Sequence, residues 1–182
     1  MKIVIISGSP RTNSITKRSA LYLENILKET NEVYLIDLNE IDIPPMQTVF
    51  MNEEKTPVQF HELRKKIFAT EAFIFVTPEY NGGYSPAMKN LIDHFPKTAY
   101  ARKAMGIVAA SDGLFGGMRA AMQMQQLMFA LFGIPSPQML IIPQVDKKFD
   151  MEGKLVDETF TRNIQNFLTE FLWLAEALNK SK

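Results

Sequence analysis

The chain has 182 residues and no cysteine, and its 20 Lys and Arg balance its 20 Asp and Glu, so its formal net charge is zero. This length is typical of one domain with a sizeable core, and we expect residues 1–182 to form a single domain. The absence of cysteine excludes disulfides, thiolate zinc sites, iron–sulfur clusters and a cysteine nucleophile. The neutral charge argues against a nucleic-acid binder and against a strongly acidic electron shuttle.

The apolar runs of the chain are short. The longest obvious one, Leu127–Phe132, is far below the roughly 20 residues that span a membrane. Near the N-terminus, only Ile3–Ile6 precedes Ser7, which is too short for the core of a signal peptide. We therefore expect a soluble, cytoplasmic protein with no nucleic-acid partner and no membrane partner.

Five apolar runs rich in β-branched residues predict five strands. The first, third and fifth runs are continuously apolar, which is typical of parallel strands that are covered on both faces. In chain order the runs are Lys2–Ile6, Glu32–Asp37, Ala72–Thr77, Ala104–Ala110 and Gln138–Ile142.

Apolar residues at helical spacing predict a helix after each of these runs. The first two helices cover 15–29 and 58–70, and two more begin near Pro86 and Gly117. The last carries an apolar stripe from Phe160 to Leu178, and Asp157 is placed to cap its start. Strands that alternate with helices through right-handed crossovers predict a doubly wound α/β fold.

The segment Asp37–Pro57 is the longest irregular stretch, and its Pro44-Pro45 pair indicates extended or turning backbone. A loop of this length is more often a lid or an interface segment than a domain boundary.

Ligands of open parallel sheets bind outside the carboxyl ends of the strands, where the strand order reverses. The loops over 7–14, 77–83 and 111–117 follow the first, third and fourth strands and are rich in glycine. A strand order of 2-1-3-4-5 would bring these three loops together. The sequence therefore predicts a binding site at this edge of the sheet.

The loop over 7–14 leads into a helix and combines the charge of Arg11 with hydroxyl and amide side chains. Unpaired N–H groups at the start of a helix attract phosphate. The loop lacks the lysine of a Walker loop and the glycine triplet of a dinucleotide fingerprint, so it predicts a site for a terminal monophosphate. Helix capping without any ligand is the alternative explanation for its polar residues, Ser9, Thr12, Asn13 and Ser14.

The loops over 77–83 and 111–117 also allow two interpretations. Tyr80 beside the turning backbone of Asn81 suits a flat heteroaromatic ligand, but a hairpin-like turn with a half-buried tyrosine would need the same residues. The glycines of the second loop either present N–H groups to a ligand or form a flexible connection.

In combination, these motifs resemble the NADPH-dependent FMN reductase family. The first is Gly8-Ser9-x-Arg11-x-x-Ser14; the second is Pro78-Glu79-Tyr80-Asn81 with Pro86, Lys89-Asn90 and Asp93; the third is Ser111-x-Gly113-x-x-Gly116-Gly117-x-Arg119-Ala120. They stand in the family's order and cover nearly the whole chain. One departure is the run Met122–Gln126, which lacks an arginine that often follows there.

The resemblance implies a flavodoxin-like fold: a doubly wound, five-stranded parallel sheet in the order 2-1-3-4-5 with helices on both faces. It also implies bound FMN, a homodimer or homotetramer, and hydride uptake from NADPH or NADH. The electron acceptor would be a small molecule such as free flavin, a quinone or an azo compound.

The resemblance also implies roles for individual residues. It assigns the FMN phosphate to Ser9, Arg11, Asn13 and Ser14, with the N–H groups near Ile15. It assigns the isoalloxazine ring to the backbone of Pro78, Glu79, Tyr80, Asn81 and Gly82, with Ser111, Gly113 and Gly116 along its other side. No catalytic side chain and no metal is expected, because the flavin carries the chemistry.

Several other residues are expected to be structural. We expect His61 and His94 on the surface or at helix ends, and the motif residues Lys89, Asn90 and Asp93 in the packing of the third helix or in an interface. Methionine and aromatic residues are favoured both in cores and in subunit interfaces, which are the places predicted for Met118, Met122, Met128, Phe129 and Phe132.

Two other functions remain open. One is a flavodoxin-like electron carrier or flavin-binding sensor without its own NAD(P)H reaction; the neutral charge weighs against the carrier but not against the sensor. The other is a phosphosugar- or nucleotide-binding enzyme that uses the loop over 7–14 alone. Bleaching of a bound flavin by NAD(P)H would favour the reductase, and a colourless protein would favour the last alternative.

Overall fold

A computed structural model describes residues 1–180. Six strands within this range form one sheet: β1 (Lys2–Ser7), β2 (Glu32–Asp37), β3 (Ala72–Pro78), β4 (Ala104–Ala110), β5 (Ile134–Pro135) and β6 (Leu140–Ile142). The α-helices are α1 (Ile15–Leu27), α2 (His61–Ala69), α3 (Pro86–Asp93), α4 (Met118–Ala130) and α5 (Thr161–Lys180).

The sheet is parallel and confirms the predicted strand order. Its strands follow the order β2-β1-β3-β4, and both β5 and β6 pair with β4. The predicted fifth strand, Gln138–Ile142, is observed as β6, and the structure adds β5, which was not predicted: β5 pairs at Ala104 and β6 pairs further along at Val108. Pro135 and Pro137 stand at the end of β5 and before β6 and prevent one continuous strand, since proline has no N–H to donate to the ladder.

Helices cover both faces of the sheet. On one face, Ile3 and Ile5 of β1 share a buried cluster with residues of α1 and α5. On the other, Val4 and Ile6 lie in a second cluster with residues of α2, α3 and α4. Because both faces are buried, the central strands have apolar side chains on both sides, as the continuous runs predict. No helix among the described residues is long and apolar enough to cross a membrane.

Short polar side chains fix the starts of several helices. Ser14 accepts a hydrogen bond from the N–H of Lys17 at the start of α1. Ser85 accepts one from Met88 at the start of α3. Asp157, the predicted cap, accepts one from Thr159 in the short 3-10 turn that leads into α5. Each bond satisfies an N–H that has no partner inside the helix.

The side chain of Asn90 holds the irregular segment between β2 and α2 against α3. Its amide donates to the carbonyl oxygens of Ile43 (3.3 Å) and Pro44 (2.8 Å), and its oxygen accepts from the N–H of Met46 (2.9 Å). The motif residue Asn90 therefore fixes the packing around α3, as expected.

Residues of α2 and the end of α3 hold the later part of the same segment. The Nε2 atom of His61 lies 2.8 Å from the Thr56 carbonyl oxygen, and Arg64 Nε donates to the carbonyl of Phe50. His94 follows the last residue of α3, where it is buried and its ring lies 4.7 Å from that of Phe50. His94 is thus a helix-end residue, but it is not on the surface.

The helix α4 has two apolar faces. Met124 and Met128 are fully buried, which confirms the core assignment of Met128. The other methionine and aromatic residues of this region remain exposed, with exposed fractions of 45% for Met118, 48% for Met122, 61% for Phe129 and 64% for Phe132. Burial in the core is therefore wrong for these four, and an interface remains their predicted role.

A Gly106→Ala variant should be less stable than the parent by about 1–3 kcal/mol, because the added methyl overpacks the core. A Cβ atom at Gly106, in β4, would lie 2.8 Å from Phe167 Cζ and 3.1 Å from Phe171 Cδ2. Urea unfolding measures the loss.

Gly113→Ala is the matched control for this variant. Its Cβ atom would meet nothing nearer than Ser111 Oγ at 3.6 Å, so its stability should change by no more than about 0.5 kcal/mol. Equal losses in the two variants would contradict tight packing around Gly106.

Candidate functional site

The loops after β1, β3 and β4 enclose a cavity of about 650 Å3 at the carboxyl edge of the sheet. Of the predicted site residues, Gly82, Gly113 and Gly116 do not line it. Those that line it are Ser9, Arg11, Asn13, Ser14, Ile15, Pro78, Glu79, Tyr80, Asn81 and Ser111. Thr12, Thr16, Pro86, Ala110 and Asp112 also line it.

Of these further residues, Thr16, Pro86, Ala110 and Asp112 were not predicted for the site. Asp112 stands between Ser111 and Gly113 in a predicted site loop, so its position was a usable signal. Ala110 ends β4, and an alanine at the end of a buried strand carries no chemical signal.

The loop after β1 packs closely against β3 and α3 at Gly8, and it then leads to the start of α1, which faces the cavity. A side chain at Gly8 would lie 2.5 Å from Met88 Cε and 2.9 Å from the carbonyl oxygen of Val76. Ser14 caps only the N–H of Lys17. The first N–H groups of α1 are therefore free to bind an anion in the cavity.

Tyr80 joins the loop after β1 to the loop after β3. Its hydroxyl lies 3.1 Å from Oγ of the buried Ser9, and the guanidinium of Arg11 lies over its ring at 4.6 Å from the centroid. Stacking on an aromatic face restricts the orientation of a guanidinium. Arg11 is thus held beside the open start of α1, where it adds positive charge.

The loop after β3 forms a short β-hairpin with a two-residue turn. Tyr80 and Gly83 exchange two backbone hydrogen bonds, of 2.8 and 3.1 Å. Between them, Asn81 and Gly82 have φ values of 50° and 83°, as the two central residues of a type I′ turn require. The turn with a half-buried tyrosine and the cavity wall are therefore the same structure, and the two interpretations of this loop do not exclude each other.

The Glu79 side chain points to the start of α4. Its carboxylate accepts hydrogen bonds from the backbone N–H groups of Arg119 (3.1 Å) and Ala120 (3.4 Å), and Arg119 Nη1 donates to it at 3.3 Å. The side chain is only 13% exposed. Sequence reasoning missed this contact, which joins residues 40 positions apart.

Two of the three predicted glycines outside the cavity have clear packing roles. A side chain at Gly116 would lie 2.7 Å from Ile141 Cγ2, and its φ of 60° favours glycine. Gly82 occupies the hairpin turn, where its carbonyl accepts from Gln123 Nε2 at 3.1 Å. The carbonyl of Gly113 accepts a hydrogen bond from Ser111 Oγ at 3.3 Å.

An ion pair fixes the first turn of α1 to the end of β2. Lys17 Nζ lies 2.6 Å from Asp37 Oδ2 and 3.0 Å from Glu40 Oε1, and the Asp37 side chain is only 4% exposed. Hydrogen bonds that Lys17 donates, first to Asp37 and then to Glu40, raise the pKa of Lys17 above 10.5. The stabilisation is therefore complete below pH 10.5 and is lost as the pH rises through the raised pKa.

The donors around the cavity fit an FMN molecule. The start of α1, the Arg11 guanidinium and the nearby hydroxyls suit its phosphate, and the hairpin beside Tyr80 suits a flat ring. The described residues contain no group of three or more His, Asp or Glu that could hold a metal ion.

The fold is that of a flavodoxin-like protein, with a cavity at the switch point of its sheet. The chain belongs to the NADPH-dependent FMN reductase family, whose sequence model matches residues 1–147. It is an NAD(P)H-dependent oxidoreductase of this type, with FMN as cofactor. The predicted family, fold and enzyme class are confirmed, and nothing favours the carrier or the sensor.

Curated relatives match almost end to end. A probable NADPH:quinone oxidoreductase 2 of Oryza sativa subsp. japonica is 29% identical over 174 residues, which cover 92% of this chain and 85% of the relative. An NAD(P)H-dependent FMN reductase of Pseudomonas aeruginosa is 28% identical, with coverage of 96% and 95%. An FMN-dependent NADPH-azoreductase of Staphylococcus aureus is 27% identical, with coverage of 94% of both chains.

Solved structures share the fold. The flavoenzyme NAD(P)H:(acceptor) oxidoreductase FerB of Paracoccus denitrificans superposes with a TM-score of 0.80 at 22% identity, covering 97% of both chains. A flavodoxin variant of Pseudomonas aeruginosa has a TM-score of 0.54 at 18% identity, with coverage of 98% of this chain and 97% of that one.

A Lys17→Met variant should lose about 1.5–3 kcal/mol of stability at neutral pH, because it leaves the buried Asp37 carboxylate without its positively charged partner. The double variant with Asp37→Asn should lose less than the sum of the single losses, because no unpaired charge remains. Urea unfolding of the four proteins measures both effects.

Glu40→Gln is the control for the Lys17→Met variant. It removes only the exposed ion pair between Glu40 and Lys17, which should contribute no more than about 0.5 kcal/mol to stability. Strict additivity of the Lys17 and Asp37 losses would show that the pair does not stabilise the start of α1.

Proposed function

We propose that this protein binds FMN in the cavity at the carboxyl edge of its sheet and passes electrons from NADPH or NADH to a small-molecule acceptor. One observation carries the proposal. A single cavity joins an open helix start beside Arg11 to a β-hairpin that presents Tyr80. Membership of the NADPH-dependent FMN reductase family supports the same chemistry.

The proposed phosphate site is the loop after β1. Ser9, Arg11, Asn13 and Ser14 would bind the phosphate, together with the N–H of Ile15. All five line the cavity. Arginine–phosphate hydrogen bonds are charge-assisted, and the contact of Arg11 with the Tyr80 ring already limits the orientation of the guanidinium.

The proposed ring site lies between the hairpin and the loop after β4. The contacts assigned to it are backbone contacts of Pro78, Glu79, Tyr80 and Asn81, with Ser111 along the other side. Gly82, Gly113 and Gly116, which do not line the cavity, would shape the two loops that hold the ring. When bound, FMN supplies hydride acceptance and onward electron transfer. The protein's part is to orient the ring and to direct fixed N–H dipoles at the charge that develops there.

The proposed acceptor is a free flavin, a quinone or an azo compound. Relatives named for quinone and azo reduction support this class. An acceptor and NAD(P)H that use the same open side of the site in turn would give ping-pong kinetics. We also propose that residues 1–182 act as one domain and that the protein works in the cytoplasm, where NAD(P)H is supplied.

We further propose that the protein forms a homodimer or homotetramer through the outer face of α4. Met118, Met122 and Phe129 are exposed along this helix, and Phe132 is exposed just beyond it. Methionine and aromatic side chains are favoured in interfaces, and an exposed apolar group of this kind is unusual on a monomer.

The purified protein should release FMN and not FAD, and Arg11→Ala should weaken FMN binding about 10- to 200-fold through loss of a charged hydrogen bond. Titration of the apoprotein, followed by flavin fluorescence, measures the dissociation constant. Binding of riboflavin, which has no phosphate, should stay the same.

Arg162→Ala, at the exposed start of α5, controls for the loss of one positive charge and should leave FMN binding unchanged. If Arg11→Ala binds FMN as tightly as the parent, the phosphate is bound elsewhere.

Phe129→Asp should shift the protein towards the monomer, because a charge in an apolar interface must be buried without a partner. Light scattering at micromolar concentration measures the mass. Trp173→Asp on α5 places the same charge at another exposed aromatic position, where the exposed fraction is 61%. The proposal requires the Trp173 variant to keep the parent's mass, and a parent that is already monomeric would refute it.

A further inference from the structure

We propose that Glu79 is a positioning residue: its carboxylate fixes the hairpin to the first turn of α4, and this contact sets the affinity of the site for the flavin ring. The inference rests on the proposed function and deepens it. It moves the role of Glu79 from a backbone contact with the cofactor to a side-chain contact within the protein.

The helix α4 depends on Glu79 for its cap. The residue before the helix is Gly117, with a φ of 83° and no side chain to accept a hydrogen bond, and the first turn contains no acidic residue. The backbone N–H groups of Arg119 and Ala120 donate to Glu79 instead. A carboxylate at this end of a helix is favourable because it binds unpaired N–H groups and opposes the helix dipole.

A second bond ties the hairpin to the same helix. Gln123 lies one turn after Arg119, and its Nε2 donates to the Gly82 carbonyl at the hairpin turn. The Arg119 side chain also donates to Glu79. The hairpin is therefore attached to α4 at two points: at Glu79, just before the hairpin begins, and at Gly82, in its turn.

The hairpin needs this external support. Its own backbone ladder consists of the two hydrogen bonds between Tyr80 and Gly83. A short two-stranded hairpin is at best marginally stable alone in water. Its orientation in the cavity therefore depends on contacts with neighbouring elements, and Glu79 makes the charged contact with α4.

The same carboxylate helps to orient the cofactor. The helices α1, α3 and α4 all begin at the carboxyl edge of the sheet. At the start of α3, Pro86 has no N–H and the buried Ser85 accepts the N–H of Met88, and at the start of α4 Glu79 accepts two N–H groups. The start of α1 is left open beside Arg11. A phosphate is thus directed to α1, and the ring is directed to the hairpin.

Glu79→Ala should weaken the binding of FMN and of riboflavin by the same factor, about tenfold, because the lost cap acts at the ring end of the site. Glu79→Gln keeps an acceptor oxygen and loses the charge, so both affinities should fall about threefold. Arg11→Ala, in contrast, should weaken FMN binding alone.

Fluorescence titrations of the apoprotein with each flavin, well below the unfolding midpoint, give the dissociation constants. Gln123→Ala removes the second tie and should weaken both flavins equally, by less than Glu79→Ala. Glu62→Ala, on the exposed surface of α2, is the control for loss of a glutamate. Visible circular dichroism of bound FMN should change in Glu79→Ala and not in Arg11→Ala, because only the former displaces the ring.

The titrations can overturn the inference in three ways. If Glu79→Ala lowers the unfolding midpoint but binds riboflavin like the parent, Glu79 is only a helix cap. If it weakens FMN alone, it acts at the phosphate. Should Glu79→Ala not fold, Glu79→Gln decides, and an unchanged riboflavin affinity in that variant overturns the inference. A parent that binds neither flavin would refute the proposed function itself, which is a distinct result.

Discussion

A parallel sheet that is buried on both faces needs helices on both sides, and this requirement determines where the site lies. The central strands β1, β3 and β4 are almost entirely buried and parallel, so each crossover leaves the carboxyl edge, passes over one face and ends at the amino edge. The starts of α1, α3 and α4 therefore gather at the carboxyl edge, where the strand order reverses. Topology gives the position of the site, and the residues of the loops give its chemistry.

The starts of these three helices differ in how many of their N–H groups are bound by capping residues. Ser14 caps one N–H of α1 and leaves others facing the cavity, whereas Ser85 is itself buried between α3 and the loop after β1. The carboxylate of Glu79 accepts hydrogen bonds from the first turn of α4, so its negative charge is bound at the start of that helix. The electrostatic polarity of the cavity thus arises from the choice of capping residue rather than from net charge.

Most of the fold and the loops of the site were predictable, because buried parallel strands are continuously apolar and the glycines mark the loops between elements. The carboxylate of Glu79 was not predictable, since its partner is the backbone of a helix 40 residues away. Nor could periodicity separate Met128, in the core, from Phe129, which is exposed on the next position of the same helix. The strand β5 was missed because two residues that end in a proline give no strand pattern in the sequence.

The two short strands β5 and β6 at the edge beside β4 have a consequence for how copies of this chain can meet. An edge strand with free N–H and C=O groups is a template for another chain and a route to aggregation. At this edge β5 has two residues and β6 has three, and Pro135 offers no N–H. The edge therefore offers no continuous row of backbone hydrogen-bonding groups with which a strand of a second chain could pair. Edge-to-edge pairing of sheets from two copies is therefore blocked on this side, which protects a concentrated solution of the protein from ordered β-aggregation through this edge.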